Sequence, residues 1–226
     1  MTSAGVRPRG YGPAVGEPPP LVDPRRWGSL VGLVGGMVFV ASYAPALGTV
    51  VTVLAWVAGS VGVLTALLAH YVRPTALGPL LRPRPVALVV YGACVVGELA
   101  LIAVGSRALE AAGLGELRPS LIAALVGLHF LPFAWAFGEA MFSTLGGVVA
   151  GLGVVGLVLG ALRVPAAAEA FAVLAGLAMI VVIVRYALGR WRRPRHGHRG
   201  ATPDARARGH RASPTTTVSG GGQPAR

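Results

Sequence analysis

The sequence predicts an all-α fold, a polytopic membrane bundle of about six transmembrane helices with disordered tails. Three observations predict it. Of 226 residues, 54% are hydrophobic and only 12% are charged, with mean hydropathy +0.67. A soluble domain carries roughly a quarter charged residues, so lipid is the natural solvent for this chain. The apolar residues fall in runs of roughly 20, the length needed to cross a bilayer, separated by short Pro-, Gly- and Arg-containing breaks. The charge is also lopsided: a formal net charge of +12, with arginine flanking the apolar runs and filling a tail.

Residues 1–28 are rich in Pro and Gly and contain Arg7, Arg9, Arg25 and Arg26, a composition that cannot bury a core and predicts a disordered tail. Its length and proline content are wrong for a cleaved signal peptide, so the first span is expected to be retained. That span is predicted over 29–47, behind the interfacial anchor Trp27, with Pro45 near its far end. An uncharged turn leads to the second span, 50–72, which implies a helical hairpin. Arg73, Arg82 and Arg84, interleaved with Pro74, Pro79, Pro83 and Pro85, separate it from the third span, 86–105, which holds Glu98. A mixed-charge loop with Arg107, Glu110, Glu116 and Arg118 precedes the fourth span, 119–137. Gly138-Glu139 turns the chain into the fifth span, 141–162, and Arg163 and Pro165 break it before the sixth, 166–188. Residues 189–226 form a polar tail with a single acid, Asp204, again predicted disordered and placed at anionic lipid.

Orientation follows from the arginines. The N-terminal tail, the loop between spans two and three and the C-terminal tail carry most of them, so all three are expected in the cytoplasm. Trp27, Tyr71, Trp135, Tyr186 and Trp191 fall at the same predicted boundary, as an aromatic belt would. Basicity alone would also fit nucleic acid, but arginines placed beside apolar spans fit topology and lipid instead, and no nucleic-acid partner is expected. The lack of lysine among the 20 basic residues, with 33 Gly and 18 Pro, reads as the codon bias of a GC-rich bacterial genome and predicts the bacterial cytoplasmic membrane. Cys94 is a lone apolar-span cysteine, a small buried residue with no disulfide or metal role. A three-plus-three inverted repeat is allowed geometrically, with Pro45 and Pro132 its only matching feature.

Small residues predict how the helices meet. In the fifth span Gly147 and Gly151 are spaced by four, as are Gly156 and Gly160, while Gly146, Gly153 and Gly160 recur by seven. Such spacings let backbones approach where lipid supplies no hydrophobic drive. We read them as packing within the bundle centre, with a homo-oligomer contact as the alternative. Ala55, Gly59 and Gly62 suggest a smaller contact on the second span.

Glu98 is the residue most in need of explanation, since an ionised acid within a span costs about 2.5–3.5 kcal/mol and should face the bundle interior. His129 lies near the middle of the fourth span. Counting from the inner boundary at 1.5 Å per residue, the two heights differ by about 6 Å, within reach of two side chains. Glu98 and His129 are therefore predicted to pair across the third and fourth helices. Pro132 removes the donor for the Leu128 carbonyl and disfavours a straight helix there, adding a polar group beside His129. Two readings stand side by side: a hydrogen bond that fixes helix packing, and a proton- or ion-handling site. His70, near a helix end, is expected at the interface, Glu139 in a turn, and Glu169 at a helix N-terminus.

No catalytic constellation is present: no HExxH, no paired intramembrane aspartates, no phosphate-binding glycine loop. Glu98 and His129 are too few ligands for a metal. Neither cofactor, metal nor enzymatic activity is expected.

The stretch Gly127-Leu128-His129-Phe130-Leu131-Pro132-Phe133-Ala134 resembles a Gly-x-His-Phe-x-Pro segment of small multi-helix bacterial integral membrane proteins that are uncharacterised. With the third-span glutamate and the Gly-rich fifth span, the resemblance covers about 85–162, with Phe133 standing where leucine is expected. It implies no substrate and directs attention to Glu98, His129 and Pro132.

Overall fold

The computed structural model describes residues 16–77, 85–137 and 139–190, all within one compact unit. The parts of the predicted tails over residues 1–15 and 191–226, and the loop arginines Arg82 and Arg84, lie outside the described residues. Six helices long and apolar enough to cross a membrane are present among the described residues, which contain no strand. They are α1 (Pro24–Tyr43), α2 (Thr49–Leu67), α3 (Pro85–Ala111), α4 (Arg118–Phe137), α5 (Ala140–Ala161) and α6 (Ala167–Ala187). The chain is built as a multi-pass membrane protein.

Each boundary has a local cause. Helix α1 begins five residues before the predicted span, so residues 24–28 are helical rather than tail. Asp23 caps it by accepting a hydrogen bond from Arg25 N (2.9 Å), and Pro24 at the first position needs no donor. After Tyr43 a 3-10 turn, Ala44–Leu47, with Pro45 near its start, replaces the α-helix, and Gly48 (φ 91°) reverses the chain into α2. Helix α2 closes in a π turn, Leu68–Val72. Helix α3 runs six residues past the predicted end, and its 27 residues make a rod of about 40 Å, longer than the ~30 Å hydrocarbon layer, so Arg107 and Glu110 need not sit in lipid. There Glu110 meets Arg118 at the start of α4. Pro132 lies inside α4 without ending it, and the helix continues to Phe137.

Helix α6 is the most enclosed span and packs on α1, α2, α4 and α5, whereas α3 packs on α4 and the short turn before it. The bundle centre is thus α6, not the glycine-rich α5. Its alanines make this possible: Ala172 and Ala175 are fully buried, and α6 crosses α1 so tightly that a Cβ on Gly36 would stand 2.8 Å from Gly176 O.

The glycine face of α5 corrects the predicted contact. Gly156 and Gly160 pack inward, against Ser120 and Phe171 and against Leu117 respectively, and Gly146 and Gly153 press on the α4 backbone. Gly147 and Gly151 are exposed, with open space where a side chain would stand. At about 100° per residue, the seven-spaced set and the Gly147/Gly151 set occupy different faces of one helix. Of the first, Gly146 and Gly153 meet α4 and Gly160 meets Leu117 just before it; the second meets neither.

Candidate functional site

Glu98 comes from the middle of α3 and His129 from the middle of α4. His129 Nδ1 stands 3.1 Å from Glu98 Oε2, with the two side chains only 14% and 12% exposed. The approach is close enough for an ion pair but misses directed hydrogen-bond geometry. At this distance the pair can exist as carboxylate with imidazolium or as acid with imidazole, and in both forms its net charge is zero. That neutrality is what an apolar setting demands, because an isolated charge there would be expensive.

The walls around the imidazole are aromatic. Phe130, the next residue, lies 4.2 Å away between ring centroids, and Phe133 presents an edge at 5.1 Å. Tyr91 of α3 stacks on Phe133 at 4.9 Å, so the same helix that brings Glu98 also covers the ring behind His129. Phe142 of α5 stacks on Phe130 at 6.2 Å and stands edge-on to Phe133 at 6.0 Å. Phe133 stands three residues from Phe130 and four from His129, which places it beside both on α4. Pro132 is half-buried on the same turn, at the foot of this cluster.

Other polar residues named from the sequence do not join it. Ser42 and Ser60 are exposed, and Thr65 Oγ1 donates to Val61 O (2.7 Å) of its own helix. Glu139 is the residue before α5, in the predicted turn. Helix α5 carries no titratable residue along its length. No group of three or more candidate metal ligands exists among the described residues.

Two polar features escaped the sequence reading. Ser120 is fully buried and donates to Ala168 O (3.0 Å), tying α4 to α6 beside Gly156. His70, at the end of α2 as expected, is only 2% exposed, and Tyr186 is also turned inward, 6.4 Å from the His70 ring, instead of joining an aromatic belt. A signal for His70 existed: extending the Ala55, Gly59, Gly62 stripe by helical steps reaches Ala66 and then His70. Trp27 and Trp135 are exposed, as membrane-boundary residues can be.

Comparison with known proteins adds nothing to this geometry: no protein-family model matches the chain, and neither curated proteins nor solved structures match it.

Proposed function

We propose that the chain is a multi-pass protein of the bacterial cytoplasmic membrane, both termini cytoplasmic, with a structural or interaction role and no catalytic one. Arginine placement supports the orientation. Arg25 and Arg26 at the start of α1, Arg73 after α2 and Arg185 near the end of α6 belong to the ends that would face the cytoplasm, against Arg107, Arg118 and Arg163 at the others. Its partners in this reading are the bilayer itself, anionic lipid at the basic tail, and further membrane proteins or a second copy of this chain. The resemblance carried by Gly127–Pro132 belongs to the same reading and adds no substrate.

The observation that carries the role is the 3.1 Å Glu98–His129 contact. Helix α3 has little other helical packing, so one neutral polar pair in an apolar seam defines its register on α4. Interhelical polar contacts in membranes contribute about 0.6 kcal/mol on average and up to about 1.7 kcal/mol, enough to select one docking of a weakly held helix.

A second reading, a small proton-coupled transporter or channel-like protein, draws on the same pair, because it can bind and release a proton where α3 could part from α4. Proteoliposome flux separates the two. The interaction role predicts that Glu98→Gln weakens the α3–α4 contact without altering pH-dependent permeability. Loss of a pH-dependent solute or proton flux in a folded Glu98→Gln protein would replace the first reading with the second.

A further inference from the structure

At the end of the bundle where α1 begins, four charged side chains are withdrawn from water. Asp23 and Arg26 are 0% and 2% exposed, and Glu17 and Arg25 are enclosed with them. Arg25 is held by Asp23 (2.7 Å) and donates from Nη1 to Leu77 O (3.2 Å). Arg26 donates to His70 O at the end of α2 and, from Nη2, to Thr75 O (3.4 Å), with Glu17 Oε1 at 3.6 Å. Glu17 accepts from Leu77 N (2.7 Å), and Thr75 Oγ1 donates to Ala187 O (3.0 Å) in the last turn of α6. Residues 17–29, the segment after α2 and the end of α6 are thereby tied at a single point.

An arginine at a membrane edge ordinarily extends its head group to water. Arg26 does the opposite. It turns inward onto the last carbonyls of α2, where the helix dipole is negative and a guanidinium is favoured. Among the described residues, Arg25 and Arg26 face Asp23 and Glu17 directly, and the Glu139 carboxylate adds a further acid that acts on Arg25. Withdrawing Arg26 removes at once the charge that Glu17 faces and the donor to His70 O and Thr75 O, so these ties part together rather than one by one. His70 lies directly behind the knot, its Nε2 buried and without a hydrogen-bond partner among the described residues, as is Arg26 Nε. Tyr71 and Tyr186 flank its ring, and Asp23, Glu17, Arg25 and Arg26 lie on that side, with Glu139 also acting on Arg25.

We infer that residues 16–29 form a strap that locks this end of the bundle against water, with Arg26 as its pin, and that releasing the strap is a discrete opening that wets His70. The lock is independent of the Glu98–His129 pair, on which α3 and α4 meet.

Histidine footprinting of the full chain in nanodiscs tests it, with diethyl pyrocarbonate as the probe and mass spectrometry reading His70 and His129 separately. In the unaltered protein His70 labels slowly. Arg26→Gln speeds its labelling at least tenfold with His129 unchanged. Glu17→Gln, which keeps shape but removes an acid from the set, speeds it by a smaller factor and carries the test should Arg26→Gln not fold. Fast His70 labelling in the unaltered protein overturns the lock. So does unchanged slow labelling in the folded variants, or a parallel rise at His129, which would mean that the whole bundle loosens.

Discussion

Replacing Gly153 and Gly151 by alanine, one at a time, should move stability in opposite directions. At Gly153 an added Cβ would stand 2.8 Å from the Ala123 carbonyl carbon and closer still to Ala124 N. Ordinary carbon contacts lie at about 3.5–4.0 Å and Ala124 Cα would be only 2.6 Å away, so α4 and α5 must part by roughly 0.9 Å or more. The obstructing atoms are backbone and cannot rotate aside. Overpacking of this kind costs about 1–3 kcal/mol, partly offset by the roughly 1 kcal/mol that alanine gains over glycine within a helix. The net expectation is a loss of up to about 2 kcal/mol. At Gly151 nothing lies within 4 Å, so only the gain of about 0.5–1 kcal/mol remains. The two variants should therefore differ by about 2 kcal/mol, a factor of about 30 in the folding equilibrium. Unfolding in mixed micelles with increasing dodecyl sulfate, followed by tryptophan fluorescence and circular dichroism, measures the difference. Equal destabilisation by both substitutions would refute the account, because the outer glycines would then be in contact with something and the α5 face would be misassigned.

Two further outcomes follow from the same contacts. Ser120→Ala removes the buried donor to Ala168 O and should lower stability by about 1 kcal/mol in the same titration, with Ser120→Cys, which keeps a weak donor, losing less. Arg163→Ala breaks a 2.8 Å pair with Glu116 whose side chains are 70% and 51% exposed, so it should cost well under 1 kcal/mol and vanish at high salt; a salt-independent loss would mean that the pair is more than a surface contact.

The spans themselves were legible because a bilayer imposes one length and one composition on every crossing. Their ends were less so, for reasons specific to each. At α1 the arginines drew the boundary inward, while the Asp23-Pro24 pair, an N-cap followed by a proline that needs no donor, marked the true start. At α3 hydropathy stops near Gly105, but Arg107 and Glu110 are good helix formers, so the helix outlives the apolar run. The α5 glycines announced close packing without saying which of two spacings would be used, since that depends on where α4 lies. The likeness in height of Glu98 and His129 could be counted along the helices, whereas the aromatic wall from Tyr91 and Phe142 depends on helix rotation, which no single span encodes. Burial of Arg26 was the least visible feature. Its partners Glu17, His70 and Thr75 are up to 49 residues away, and each alone reads as an ordinary boundary residue.

The proposal of six crossings with both ends in the cytoplasm is tested most directly by reporter fusions. Fusions after Gly48, Leu114 and Arg163 should report the outer side, and fusions after Leu81, Gly138 and Arg226 the cytoplasm. An outward-facing reporter at Arg226, or the same side reported by two consecutive sites, would contradict both the orientation and the span count.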